Sequence, residues 1–292
     1  MTNPKCLYCY NEITDNSGNY HSKCSKKFFG IYPAPELPFS LSEISDLAKQ
    51  NILNQITIPG VQKKISLGLS KRVGLIPGKL TIFGILRNYI LKPPTPDYDS
   101  LPENESLTMQ LAKLFKIDTV PNSLIRLKSA ELAYITKRID RNNKTKMPME
   151  DMAQLTERLT EEKYFGSLEQ IGKTILKYSS NAGYDLIKFY EINLFSFLTG
   201  NADMHLKNFS IIHENAMYKL SPAYDLISTR LVIPEKLDSE EFALTMNGKK
   251  SRFNYQDFID FSEYLKIPQK SLQNIRNKFN KKLPEVQNLI MK

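Results

Sequence analysis

Apolar positions repeat along this chain with two different periods, and the switch between them divides it. Ile65, Leu67 and Leu69 alternate with small or polar residues, the period-two signature of a strand. A second strand is predicted over 85–91, ending at Lys92 and stopped by Pro93-Pro94, and two more over 122–126 and 131–138. Between them Leu107, Leu111 and Leu114 recur at helical spacing. Glu103 and Glu105 fall at or before the start of that helix, where carboxylates favour its dipole. At Ile139-Asp-Arg-Asn-Asn143 charge and asparagine replace the strand pattern. Beyond it the spacing predicts helices over 151–160, 168–178 and 186–198, the last apolar almost all round and therefore buried. Residues 209–213 and 216–220, joined by Glu214-Asn215, read as a short β-hairpin. Upstream, Pro33, Pro35 and Pro38 stiffen a connector, and Ser40-Leu-Ser-Glu43 reads as a capping box opening a helix through Lys49. Strands followed by helices make an α+β, two-lobe arrangement. Its parts are an N-terminal segment with its connector (1–39), a strand-rich lobe (40–141) and a helical lobe (142–292), with no internal repeat.

Composition narrows the class. At 292 residues, 41% hydrophobic and 24% charged, the chain has enough apolar surface for a full core. No run approaches the roughly 18 apolar residues of a membrane span, and the start Met-Thr-Asn-Pro-Lys lacks the apolar stretch of a secretory signal. A cytoplasmic location is therefore expected, with export by a signal-independent route left open. The net charge of +9 favours an acidic partner: nucleotide phosphates, a nucleic acid or an acidic protein. It also suits simple solubility. With Trp absent and the aromatic residues dispersed, no base-stacking platform stands out.

All three cysteines lie in the first 24 residues. Cys6-Leu-Tyr-Cys9 resembles half of a zinc knuckle, and His21-Ser-Lys-Cys24 would close a tetrahedral Cys₃His site. Such a short segment has little core of its own, so a metal would order it. The competing reading is that these are small soft side chains that are simply buried.

Two further stretches carry candidate chemistry. Gly200-Asn-Ala-Asp-Met-His-Leu-Lys-Asn-Phe-Ser210 follows the buried helix and packs a carboxylate, an amide and an ammonium into a few positions. It is either a solvated polar turn or a phosphoryl-transfer loop in which Asp203 orients a hydroxyl, Asn208 holds Mg²⁺ and Lys207 neutralises phosphate charge. The hairpin favours the second reading. Asn208 precedes its first strand and Asp225 follows its second, 17 positions on, so antiparallel pairing returns both to one end, where two oxygen ligands share a cation. Thr57-Ile-Pro-Gly-Val-Gln-Lys-Lys64 is the turn into the first strand. Gly60 permits close approach to an anion and Lys63 and Lys64 supply charge, although a plain turn is the commoner use of such a stretch.

In this order the blocks resemble the HipA-like toxin kinases, Ser/Thr kinases with a divergent two-lobe protein-kinase fold. Thr57 to Lys64 is similar to that family's phosphate loop, and Tyr89-Ile-Leu-Lys-Pro93 to its ATP-lysine strand. Lys137-Arg-Ile-Asp-Arg141 is similar to its hinge, and Asn201 to Asn208 followed by Pro222-Ala-Tyr-Asp-Leu226 to its catalytic loop and metal site. Glu150-Asp-Met-Ala-Gln154 and Phe242-Ala-Leu-Thr-Met-Asn-Gly-Lys249 are lesser matches. The likeness covers roughly 50–250 and implies roles residue by residue. Asp203 is the catalytic carboxylate, and Asn208 and Asp225 bind Mg²⁺. Lys92 holds ATP phosphates, with His205 and Lys207 nearby, and either Glu103 or, as the preferred choice, Glu105 is the helix carboxylate that pairs with it. The backbone of Pro59, Gly60, Val61, Gln62, Lys63 and Lys64 covers the triphosphate, and Lys137, Arg138 and Ile139 meet adenine. Thr57 occupies the place of a loop serine that can be autophosphorylated, which would add about two negative charges beside ATP and switch the enzyme off.

The departures are Ile139 in place of a hinge aromatic, Thr57 in place of serine with Pro59 stiffening the loop, and a short N-terminus. The last implies a three-component, HipT-like toxin–antitoxin system. In it a small separate protein resembles the missing N-terminal subdomain, and a helix-turn-helix antitoxin makes DNA contact only indirect. The implied activity is phosphorylation of a Ser or Thr on a cellular protein, with an aminoacyl-tRNA synthetase, with or without bound tRNA, as the expected substrate. Two other readings use the same residues: a small-molecule or lipid kinase, and a non-catalytic regulatory binding module.

Overall fold

The alternation at Ile65, Leu67 and Leu69 becomes the second strand of an antiparallel sheet. Its strands are β1 (Ile65–Leu69), β2 (Leu80–Thr81), β3 (Tyr89–Lys92), β4 (Asn122–Arg126) and β5 (Leu132–Lys137), in the order β2-β1-β3-β5-β4. The computed structural model describes residues 4–14, 18–52, 64–70, 78–82, 87–142 and 145–291. The expected phosphate loop, with Thr57, Pro59, Gly60, Val61, Gln62 and Lys63, lies outside them, as does the start of the strand predicted from 85. Packing divides the chain into two units: 1–106 with 120–145, and 107–119 with 146–291.

In the first unit, the core draws on the N-terminal segment as well as on the sheet. Cys6, Leu7, Ile13, Tyr20, Phe28 and Phe29 are buried in one cluster with Leu67, Tyr89, Leu91 and Ile135. Helix α1 (Ser22–Phe29) ends at Gly30, whose φ of 79° is the left-handed C-cap that glycine adopts without strain. Its Phe28 and Phe29 rings meet Tyr89 of β3 at 5.9 and 6.0 Å. The segment is also stitched to the far edge of the sheet. The Leu124 N–H donates to the Leu7 carbonyl at 3.1 Å, and the buried Tyr20 hydroxyl donates to the Leu124 carbonyl. Helix α2 (Leu41–Ile52) opens with the expected capping box: the Glu43 N–H donates to Ser40 Oγ and the Ser40 N–H to Glu43 Oε2. Helix α3 (Leu101–Leu114) starts several residues earlier than its leucine repeat suggests, so Glu103 falls in its first turn, as expected, while Glu105 lies further inside it.

Two short strands, β6 (Arg141–Asn142) and β7 (Thr145–Lys146), pair with each other at the division between the units. The second unit then carries a three-stranded sheet, β10-β9-β8, of β8 (Met149–Asp151), β9 (Ser210–Glu214) and β10 (Met217–Leu220). Here the helix predicted over 151–160 is corrected. Only α4 (Met152–Leu155) is helical, because Asp151 is both the last residue of β8 and the N-cap, accepting from the Gln154 N–H. Glu157, at φ 56°, then turns the chain away. Helix α5 (Leu168–Tyr178) has the predicted bounds, and α6 (Ala182–Leu198) begins one turn before them. Phe189 and Phe195 of α6 are fully buried, and Phe189 packs edge-on against Phe209 at 5.1 Å. The hairpin turn is Asn215-Ala216, both at positive φ, one residue later than expected, with Glu214 paired to Met217. Helices α7 (Tyr255–Tyr264) and α8 (Gln269–Ile290) complete the unit.

Candidate active site

Lys92 ends β3 directly opposite Tyr134 of β5, and this register decides its surroundings. Its ammonium lies 5.4 Å from the Tyr134 ring centre and donates to Glu105 Oε1 at 2.6 Å. Lysine and glutamate are 3% and 1% exposed, so this is a buried ion pair whose removal on one side strands a charge. Helical geometry selects Glu105 over its neighbour: Glu105 sits on the buried face of α3.

At the end of β5 the side chains take different tasks. The Lys137 ammonium lies 5.7 Å from the Phe28 ring centre, and burial lowers its pKa. Arg138 makes a two-pronged pair with Asp140 at 2.9 and 2.8 Å, and Arg141 adds a third bond at 2.8 Å. Ile139 is half-buried between these groups. Burial alone would raise the Asp140 pKa, but the hydrogen bond and charge of Arg138, with the charge of Arg141, overcome it and hold the carboxyl below the usual range. A depressed folded pKa means that stability is fully present above the unfolded value of about 3.9 and is lost as pH falls through the folded one. The stability gap between the wild-type chain and Asp140→Asn should therefore shrink as pH drops below about 4, which thermal melts from pH 6 to 3 would register. A gap constant with pH would mean that Asp140 is not paired in solution.

In the second unit the stretch 200–210 is a braced loop. Gly200 has φ 64°, and a Cβ there would lie 2.6 Å from Arg230 Cγ, so both conformation and space require glycine. Thr229 Oγ1 donates to the Gly200 carbonyl and accepts from the Ala202 N–H. The Asp203 N–H donates to Asn201 Oδ1 at 3.2 Å. The Asp203 carboxylate in turn accepts from the Tyr164 hydroxyl at 2.9 Å. Burial, and then the Asp203 charge, push the Tyr164 pKa up, so the phenol keeps its proton. The His205 ring is buried edge-on against Tyr164 at 5.1 Å. Lys207 reaches not into open solvent but to Asp151 Oδ2 at 2.8 Å.

Tyr224 ties the two ends of the hairpin together. Its hydroxyl donates to the Lys207 carbonyl at 2.9 Å and lies 2.6 Å from Ser210 Oγ, bracketing Asn208 from both sides. The next residue, Asp225, is held at φ 56°, a left-handed conformation that costs a non-glycine residue on the order of 1–3 kcal/mol. Asn208 is buried, and its Oδ1 accepts no hydrogen bond among the described residues. A dry amide oxygen at this position costs stability unless something polar meets it. Joined by a carboxylate, such an oxygen would make the hard, all-oxygen donor set that suits Mg²⁺.

Tyr164, Asp151 and Tyr224 were not singled out by sequence pattern as working groups. No local signal marks Tyr164, 39 positions from Asp203. Asp151 does fall in one of the weaker motif blocks. Lys64 is half-buried just before β1. In the first unit, Cys6, Cys9, His21 and Cys24 converge, their ligand atoms all within 4.8 Å of one another.

A sequence profile of the HipA-like C-terminal domain matches residues 56–286. The chain belongs to the HipA-like family. A Haemophilus influenzae relative named "Putative kinase" is 30% identical over 257 residues, 78% of this chain and 72% of that one. The Sinorhizobium fredii relative named "Putative kinase Y4dM" is 35% identical over 197 residues, 62% of this chain and 47% of its own length. Among solved structures, the Shewanella oneidensis MR-1 toxin–antitoxin complex of HipA, HipB and operator DNA contains a similar fold. The TM-score is 0.67 at 21% identity, covering 89% of this chain and 67% of that one. The HipA-like fold expected from the sequence, a kinase-like α+β architecture, is thus the fold of this chain. No helix among the described residues is long and apolar enough to cross a membrane.

Proposed function

We propose that this HipA-like protein is an ATP-dependent Ser/Thr protein kinase that acts as a growth-arresting toxin. The observation that carries the reading is Asn208. Its buried, unpaired Oδ1 stands where Tyr224 draws the two ends of the hairpin together, one residue before Asp225. In this reading Asn208 and Asp225 hold Mg²⁺, which would neutralise charge on the phosphates. Asp203, positioned by Asn201 and Tyr164, orients the acceptor hydroxyl and takes its proton. Lys92, fixed by Glu105 and Tyr134, contributes a positive charge toward phosphate oxygens. Lys207 has Asp151 as its partner, so its role is to hold the loop as well as to neutralise charge.

The names of the relatives support the kinase part, and the Shewanella complex supports an antitoxin partner. By that analogy an antitoxin, proposed to be a helix-turn-helix protein, binds this chain. The substrate is proposed to be an aminoacyl-tRNA synthetase, whose modification would stop charging. Thr57, outside the described residues, is proposed as the site of autophosphorylation that silences the enzyme, with Pro59 to Lys64 over the triphosphate and 137–139 at adenine.

The test is incubation of the purified chain and a whole-cell lysate with γ-labelled ATP, with Mg²⁺ or with EDTA. A discrete labelled protein band that requires both the chain and Mg²⁺ is the expected result. Label appearing only in small molecules or lipid would overturn the choice of substrate, and no transfer at all would overturn the kinase reading.

A further inference from the structure

The four side chains Cys6, Cys9, His21 and Cys24 play no part in the chemistry above, yet the fold assembles them from two separate elements. Cys6 and Cys9 lie on a tight turn in which the Tyr10 N–H donates to the Cys6 carbonyl at 2.8 Å. His21 is the N-cap of α1, and Cys24 lies in its first turn. Their ligand atoms lie within 4.8 Å of one another, and all three cysteines are free of disulfides.

The two nitrogen–sulfur distances match a tetrahedral site. With Zn–S near 2.3 Å and Zn–N near 2.0–2.1 Å, tetrahedral geometry places ligand pairs about 3.6 Å (S···N) and about 3.8 Å (S···S) apart. His21 Nδ1 lies 3.5 Å from Cys9 Sγ and 3.8 Å from Cys24 Sγ. The histidine tautomer is also the right one. Nε2 lies 3.0 Å from the Glu12 carbonyl oxygen, which can only accept, so Nε2 carries the proton and Nδ1 presents its lone pair toward the sulfurs. A backbone carbonyl behind the distal nitrogen is the usual outer support of a metal-bound imidazole.

We infer that Cys6, Cys9, His21 and Cys24 bind one structural Zn²⁺, with the three thiols deprotonated and their protons released to solvent. Four protein ligands close the coordination shell, which makes the site structural rather than catalytic. Its mechanical role follows from its connections. The turn it clamps presents the Leu7 carbonyl to Ser123 Oγ and to the Leu124 N–H of β4. The helix it anchors presses Phe28 and Phe29 onto Tyr89, three residues before Lys92 on β3. Zinc in this position ties the N-terminal segment to both the edge and the middle of the five-stranded sheet.

The experiment is metal analysis of the full chain purified without chelator from zinc-supplied cells, together with Co²⁺ substitution. About one zinc per chain is expected, and the Co²⁺ form should show the visible bands of tetrahedral thiolate ligation. A Cys9→Ser/Cys24→Ser double variant should lose the metal and melt at lower temperature than the wild-type chain. Three outcomes would overturn the site. One is wild-type chain with little zinc and three thiols that react freely. Another is stoichiometric iron instead of zinc. The third is a full equivalent of zinc retained by the double variant.

Discussion

The Asp203→Asn chain should no longer arrest growth when expressed, and its phosphoryl transfer should fall by about 10²–10⁴-fold, the usual contribution of a positioned general base. The substitution is close to isosteric, and the features that shape the loop do not depend on the carboxylate. The backbone bond from residue 203 to Asn201 Oδ1 remains, as do the bonds of Thr229 to Gly200 and Ala202. Tyr164 can still donate to the amide oxygen. The melting temperature should therefore stay near that of the wild-type chain while activity is lost. Full growth arrest by folded Asp203→Asn protein would remove Asp203 from the chemistry. Turnover of labelled ATP by the same preparation separates failure to bind from failure to transfer.

Replacing Lys92 with Met should strongly destabilise the first unit. It leaves Glu105, 1% exposed, without its ammonium partner. Breaking one side of a buried pair costs about 3–5 kcal/mol. Part of that cost will be relieved by protonation of the carboxyl, so the loss should be smaller in mildly acidic buffer than at neutral pH. Replacing both partners, as in Lys92→Met/Glu105→Leu, removes the stranded charge and should recover most of the stability. It should not recover phosphoryl transfer, because the ammonium is still missing. The pair of variants thus separates structural support from function. Undiminished stability in Lys92→Met would show that the ion pair contributes nothing, and undiminished transfer in the double variant would show that Lys92 does not assist catalysis.

The two sites differed in how readable they were. The loop around Asp203 and the hairpin were legible because both are local: Asp203, His205, Lys207 and Asn208 fall within six positions, and the two short strands that follow are joined by a two-residue turn. The partners of these residues were not legible. Tyr164 reaches Asp203 from the segment after α4, and Asp151 reaches Lys207 from the end of β8. The pairing of β8 with β9 sets Asp151 beside the stretch that carries Lys207, and the bond from the Leu206 N–H to the Lys163 carbonyl holds the Tyr164 segment against the loop. The expected 151–160 helix is only one turn long because Glu157, at φ 56°, leaves the helical conformation just past it. A residue cannot finish a strand and also continue a helix, and Asp151 spends its carboxylate on the Gln154 N–H and on Lys207.

What the sequence determined by itself was the kind and order of the parts. Period-two and period-3.6 patterns placed strands before helices, capping chemistry opened α2, and the spacing of polar groups marked the loop and the Cys/His pairs. These are local consequences of backbone geometry and side-chain polarity. The tertiary structure decided which groups meet. It placed Lys92 opposite Tyr134 and against Glu105, bracketed Asn208 with Tyr224, and brought Cys6 and Cys9 to His21 and Cys24. Such contacts depend on strand register and on where a chain segment returns, and a shift of one residue would send each side chain to the opposite face. The loop around Asp203 was therefore visible as a motif, and became a candidate site through residues that lie far from it in the chain.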